Sequence, residues 1–337
     1  MMRANSEPCG IVIDEQSMRP ALITLILAAG ILSAAEFPEA AISNGLIQAT
    51  LRLPDPQRGY YRGTRFDWSG AIWSLQYKGH EYFGQWFENY DPKTHDAITG
   101  PVEEFRTSEA GLGYAEARPG GTFIRIGVGV VRKPEEPQYR PFNTYEIVNN
   151  GKWTVHKAAD HVEFIHRLES AGYGYEYRKV VRLAKDKPQL VLEHTLKNTG
   201  KRTIETAVYD HNFFVIDGTP TGPEFTVKFP FELQAKRDLK DMAEVKATQL
   251  AYRRDLEKGE SVFTELEGFG KTAADYDIHI ENHKAGAGVH IVGDHPLVKL
   301  VYWSIRTTLC PEPYIQMKID PGQESKWKIT YDFYVTK

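Results

Sequence analysis

Residues 203–217 read TIETAVYDHNFFVID, and this run decides the fold class. It is rich in β-branched and aromatic residues and has the look of a buried strand. Asp210, His211 and Asn212 interrupt it. Each of those polar side chains needs a partner once water is removed, so a strand made only for a core has no use for three in a row. If the run is one strand, Ala207, Tyr209, His211, Phe213 and Val215 share a face, and Val208, Asp210, Asn212 and Phe214 share the other. His211 then lies in an aromatic row. That arrangement suits a sugar site, in which rings cover the apolar face of a pyranose and the imidazole reaches its oxygens. A core histidine bonded to a backbone carbonyl fits the same pattern.

Outward from this run, most segments after residue 43 alternate with period two, among them AIWSLQYKG (71–79), HVEFIHRLES (161–170), QLVLEHTLKNTG (189–200) and SKWKITYDFYV (325–335). Breakers stand where hairpins need them, at Lys78-Gly79, Asn149-Asn150-Gly151, Asn198-Thr199-Gly200 and Lys284-Ala285-Gly286. Only LKDMAEVKATQL (239–250) has a helical rhythm. With no Gly/Ser-rich or Pro-rich linker and no internal repeat, the pattern predicts an all-β protein, one large antiparallel β-sandwich over 43–337. The proline-bearing stretches 133–142 and 217–223 read as ordered loops at a sandwich rim, a usual place for specificity residues.

The chain has 337 residues, 41% of them hydrophobic, enough to bury a full core. A formal net charge of −4 and the lack of a basic run argue against nucleic acid as a partner. Met18-Arg19-Pro20 followed by ALITLILAAGILSAA (21–35) has the layout of a secretory signal peptide, with Ser33 and Ala35 at the two positions that must be small for cleavage after Ala35. The expectation is a leader over 1–35 and an exported, periplasmic or secreted, domain with no membrane association after cleavage. A retained N-terminal anchor is the alternative. Of the two cysteines, Cys9 leaves with the leader and Cys310 reads as a small buried residue at the end of an apolar run.

The C-terminal part supplies a second polar group. Glu312 stands between Pro311 and Pro313, which hold its backbone extended and outside a regular ladder. A carboxylate on such a rigid corner is placed for general-base work, and partial burial raises its pKa toward the working range. An exposed turn glutamate is the alternative.

The order of four stretches, KPQLVLEHTLKNTGKRTIETAVYDHNFFVIDG (187–218), YDIHIEN (276–282), LVYWSIRTTLCPEP (300–313) and IDPGQESKWKITYDFYV (319–335), resembles the galactose mutarotase (aldose 1-epimerase) superfamily. There a strand pair joined by an Asn-x-Gly turn leads to a histidine before an aromatic pair, then a Tyr-Asp segment, a Cys-x-Glu and a Pro-Gly-Gln/Glu turn. The resemblance implies a large antiparallel sandwich whose concave face binds a mono- or oligosaccharide. It also implies His211 as general acid, Glu312 as general base, and Asp277 as the carboxylate that holds sugar hydroxyls. The implied chemistry interconverts anomers. Glu312 takes the proton of the anomeric hydroxyl, His211 protonates the ring oxygen, and the opened aldehyde recloses on its other face. A histidine near its ordinary pKa of about 6.5 both gives and receives that proton at neutral pH. No cofactor, metal or covalent intermediate is called for.

The sequence departs from that pattern at two places. In AITGPVEEFR (97–106) Thr99 stands where the family carries a further histidine, with His95 four residues upstream. The family's substrate arginine segment has no counterpart, and Arg62 or Arg65 in YYRGTRFDW (60–68) is the stand-in. Glu103 and Glu104 point either to a different sugar preference or to a solvated acidic loop. Thr99, Glu104, Arg65 and Tyr209 join Asp277 as the candidate binding residues, while Trp68, Trp73 and Trp86 fit a sugar cleft or the core equally. Among the remaining histidines, His161 and His166 fall on opposite faces of a strand. His279 and His283 are split by a turn signal, and His290 and His295 show no carboxylate or thiolate at ligand spacing, so no metal site is expected. Two other readings stay open: a carbohydrate-binding module without catalysis, and a polysaccharide lyase.

Overall fold

The structure, a computed structural model, describes residues 37–336. The expected leader, its cleavage site and Cys9 lie outside the described residues. Strands come in chain order as β1 (Glu39–Ser43), β2 (Ile47–Arg52), β3 (Ala71–Tyr77), β4 (His80–Glu81), β5 (Val102–Arg106), β6 (Thr122–Arg125), β7 (Gly129–Arg132) and β8 (Ile147–Asn149). Then follow β9 (Lys152–Lys157), β10 (His161–Ser170), β11 (Tyr173–Leu183), β12 (Gln189–Asn198), β13 (Ile204–His211), β14 (Phe225–Lys228), β15 (Gln234–Ala235) and β16 (Ala243–Lys246). The last are β17 (Gln249–Tyr252), β18 (Ser261–Glu267), β19 (Asp277–Asn282), β20 (Ala287–Gly293), β21 (Lys299–Ile305), β22 (Thr308–Ile319) and β23 (Glu324–Val335). No helix among the described residues is long and apolar enough to cross a membrane.

Two large antiparallel sheets make the sandwich. One has ten strands in the order β16-β17-β14-β19-β20-β23-β12-β11-β10-β9, the other six in the order β15-β18-β21-β22-β13-β5. Smaller sheets, β1-β2-β3-β4 and β6-β7-β8, flank them. The core forms because alternate residues of both large sheets point inward: Leu190, Leu192 and Leu196 from β12, Ile329, Tyr331 and Phe333 from β23, Ile204 and Val208 from β13, Ile315 and Met317 from β22. Phe105 of β5 meets the rings of Tyr177 and Trp327 from the ten-stranded sheet at centroid distances of 5.2 and 6.2 Å.

The all-β expectation holds, and local expectations divide. Lys78-Gly79 closes the β3–β4 hairpin, both residues at positive φ. Lys284 to Gly286 joins the paired strands β19 and β20. Asn149-Asn150-Gly151 and Asn198-Thr199-Gly200, in contrast, carry the chain from one sheet to another: β8 pairs with β7, β9 with β10, and β12 and β13 belong to different sheets. The helical rhythm over 239–250 is two strands, β16 and β17, paired in a hairpin whose turn holds Ala247 at φ +50°. That turn resets the alternation, and the two phases together imitate helical spacing. The fold also starts ahead of residue 43, since β1 pairs with β2 along its whole length.

Candidate active site

The outer face of the six-stranded sheet forms the floor of a cavity of about 630 Å³. Successive strands contribute every second residue: Ser261 and Phe263 from β18, Lys299, Val301 and Trp303 from β21, Glu312 and Tyr314 from β22, Tyr209 and His211 from β13, Arg106 from β5. Loops bring Arg65, His95, Asp96, Phe142 and Arg237 to the wall. Phe142 comes from the proline-bearing stretch 133–142, the rim position its composition suggests.

β13 ends at His211, earlier than the single long strand expected, because Phe213 adopts a positive φ of +39°. The opening alternation nevertheless survives across the break. Tyr209, His211 and Phe213 line the cavity. Asp210 and Asn212 face inward, where the Tyr331 hydroxyl lies 3.2 Å from Asp210 Oδ2 and 2.9 Å from Asn212 Oδ1. The polar trio is therefore split between two environments.

Glu312 is not at an irregular corner, as its flanking prolines suggest. It lies inside β22, where Val301 of β21 pairs with it. What the prolines break is the other edge. Tyr209 pairs with Tyr314 and Phe214 with Leu309. Counting two residues inward from the first pair, or three from the second, sets His211 opposite Glu312. Pro311 and Pro313 offer no N–H in this interval, and side chains bridge it instead. Asn212 Nδ2 donates to the Pro311 carbonyl at 2.7 Å, the Phe213 N–H donates to Cys310 Sγ at 3.2 Å, and His211 Nε2 lies 3.2 Å from Glu312 Oε1.

Both members of that pair are almost fully buried, His211 at 3% and Glu312 at 5% exposed. The His211 ring stacks on Phe213 at 3.8 Å and meets Phe66 edge-on at 5.5 Å. Burial, with Arg65 nearby adding to it, holds the imidazole well below its ordinary pKa. A histidine poised near 6.5 is thus corrected: the ring is neutral at neutral pH. Burial moves Glu312 the other way, up to about 7, against the pull of Arg65. His211 Nδ1 is buried without a partner. The resemblance implies acid and base groups that address the two oxygens of one carbon from opposite sides. Here they touch directly.

Glu104 does not line the cavity but holds three residues that do, Arg65, Arg106 and Tyr209. Arg65 Nε donates to it at 2.9 Å and the Tyr209 hydroxyl at 2.5 Å, with Arg125 Nη2 at 3.1 Å and Arg106 Nη1 at 3.6 Å. Burial raises its pKa, but Arg65, Arg106 and Arg125 outweigh that and hold the carboxyl down to about 2. It is not a solvated loop acid. Arg65 also donates to the Tyr209 hydroxyl at 3.0 Å and lies over Phe66. Arg62 turns away to the Gln57 carbonyl.

Two other expected residues are elsewhere. Thr99 is buried with its hydroxyl unpartnered and lies outside the cavity. The next residue, Gly100, approaches the backbone so closely that a Cβ there would lie 2.6 Å from both the His211 and Asn212 carbonyl oxygens. The segment is seated against the backbone at the end of β13. His95 lines the cavity in its stead, with Nε2 3.3 Å from Asp96 Oδ2. Asp277 begins β19 in the ten-stranded sheet, faces outward and does not reach the cavity. Trp68 and Trp86 are core, and Trp303 is the cavity tryptophan. Cys310 is fully buried, its thiol pushed well up by burial, as a structural residue would be. Sequence reasoning missed Arg106, Arg237, Lys299, Trp303 and Tyr314. A step of two from Glu104 or Glu312 reaches Arg106 or Tyr314; Arg237, in a loop, leaves no such signal.

No protein-family model matches the sequence, and no curated protein matches it. Solved structures do match the fold. The GalM/aldose epimerase homologue from C. elegans aligns with a TM-score of 0.54 at 15% identity, covering 89% of this chain and 99% of that one. A galactose mutarotase related enzyme from Lactobacillus acidophilus aligns at 0.53 and 14%, over 89% and 98% of the two chains. A galactose mutarotase-like protein from Lactobacillus casei aligns at 0.54 and 12%, over 88% and 100%. At such identities the likeness speaks for architecture alone: the chain has a β-sandwich fold similar to that of the galactose mutarotase-like structures.

Proposed function

We propose that the protein is a carbohydrate-active enzyme that interconverts the anomers of a sugar held in the cavity, with His211 and Glu312 as its acid and base. The observation that carries this is the pair itself: two titratable groups from different strands, in contact over an aromatic floor. Two oxygens on an anomeric carbon are closer together than the 3.2 Å that separates His211 Nε2 from Glu312 Oε1, so a sugar that slips its anomeric centre over the pair meets both groups at once. The step starts from the ionised form of the pair: Glu312 as carboxylate accepts the anomeric hydroxyl proton while His211 as imidazolium gives its proton to the ring oxygen, and the C–O bond of the ring opens to the aldehyde. The neutral pair left behind is the form that burial favours. When the aldehyde recloses, Glu312 gives its proton to the carbonyl oxygen and His211 takes one from the attacking hydroxyl, which restores the starting pair.

Charge narrows the substrate. Glu104 occupies Arg65 and Arg106, and Lys299 lies 3.5 Å from Glu265. The Arg237 guanidinium lies over Phe263 at 4.4 Å and has no carboxylate partner among the described residues. A sugar with a carboxylate or phosphate would give it one. On the apolar run after Met18, the protein is also proposed to be exported; recovery of the full-length form in the cytosol on fractionation would refute that.

One-dimensional NMR of freshly dissolved anomers of a neutral hexose, a hexuronate and a hexose 6-phosphate tests the activity. At least one equilibrates faster with protein present, and the gain is lost in His211→Ala and Glu312→Gln. Calorimetric binding without any acceleration would instead make the cavity a binding module.

A further inference from the structure

The solvent face of the ten-stranded sheet carries a group of side chains that the cavity does not use. Asp277 and His279 stand two apart on β19 and so point the same way, outward, while Ile278, Ile280 and Asn282 fill the core. His290 of β20 is the direct cross-strand partner of His279. The sequence gives His290 no carboxylate at ligand spacing, and the hairpin supplies one. Asp277 Oδ1 lies 3.0 Å from His290 Nε2 and 3.4 Å from His279 Nε2. One donor atom from each of the three side chains falls within 4.8 Å of the others.

We infer that Asp277, His279 and His290 form a binding site for one divalent transition metal ion, of the zinc, copper or nickel type. Nitrogen and oxygen donors at about 2.0–2.2 Å from a common ion lie roughly 3.0–3.5 Å from each other at tetrahedral or octahedral angles. The two carboxylate-to-imidazole distances are those of neighbouring ligands. Two imidazoles with one carboxylate suit borderline ions and leave positions open for water, whereas magnesium or calcium would require an all-oxygen set. The imidazoles stack in parallel, with centroids 3.9 Å apart, so taking up an ion splays them about their own side-chain bonds. All three residues are partly exposed and have room for it. On the other side of His290 its cross-strand partner is Asp332 of β23, which accepts from Gln189 Nε2 at 2.8 Å and adds a second negative charge to the row. Lys228, opposite His279 on β14, is drawn toward Glu281 at 3.9 Å. The ion would tie β19 to β20 on the face of the sandwich away from the cavity.

Isothermal titration of zinc into tag-free, chelator-washed full-length protein tests this, with cobalt absorption as a second readout. One ion per chain is expected, with the d–d bands of nitrogen and oxygen ligation. His290→Ala and Asp277→Asn each weaken binding by roughly tenfold or more, while His283→Ala, at the end of the same hairpin, does not. Unfolding of the variants in chelator at the wild-type temperature shows that the fold is intact. The absence of saturable one-to-one uptake, or equal affinity in wild type, His290→Ala and Asp277→Asn, overturns the site.

Discussion

Glu103 and Glu104 are chain neighbours on one strand, both fully buried, and they live in opposite electrostatic worlds. Glu104 faces the cavity side and meets Arg65, Arg106 and Arg125. Glu103 faces the space between the sheets. Lys179 Nζ lies 2.5 Å away and His194 Nε2 3.2 Å away, with Asp67 and Asp210 sharing the same cation. Burial, which Lys179 alone cannot offset, raises Glu103 to about 7, Asp67 to about 7 and Asp210 to about 6. Burial is the same for both glutamates; what differs is the number of cations that answer it. Glu104 is set to keep a charge, Glu103 to keep a proton.

The contrast is sharpest in variants. Glu312→Gln on the cavity side should cut anomer interconversion by roughly 10²–10⁴-fold with little change in denaturant midpoint, as measured by NMR and by urea unfolding. A variant that loses stability instead would return Glu312 to a purely structural role. Glu104→Gln leaves Arg65 and Arg125 without a carboxylate and Arg106 with Glu109 alone, and urea unfolding should show a loss of about 3–5 kcal/mol. Glu103→Gln should cost less, about 1–2 kcal/mol, because Asp67 and Asp210 remain to face Lys179. Equal costs at the two positions would break the comparison.

The same contrast sets the pH dependence. Glu104 is held below its ordinary 4.5, so its contribution is complete above that value and is lost as pH falls toward about 2. Asp67, Glu103 and Asp210 are raised, so the folded state binds more protons than the unfolded one, and stability declines as pH rises from the ordinary carboxyl range toward about 7. Urea midpoints should peak between these limbs. Glu104→Gln flattens the acid limb and Glu103→Gln the neutral one; a profile unchanged by either would contradict the assignment.

The sandwich was legible because period-two alternation runs through nearly every strand, and His211 and Glu312 stood out as polar residues at odds with their surroundings. Turn chemistry marks where a chain reverses but not which sheet receives the next strand, so Asn198-Thr199-Gly200 looked like a hairpin and is a passage between sheets. The same limit misplaced Asp277: its motif was recognisable, its sheet was not. Glu104 was recognised without its three arginines, since the cations that define it come from three separate stretches of chain.

The tight seat of Gly100 on the carbonyls of residues 211 and 212 has a consequence for anyone redesigning this protein. An imidazole grafted at position 99 would have to fit into sealed interior, next to a residue with no room to shift. A new proton-transfer group introduced at His95 or Asp96 would instead face the cavity, which both loop residues line.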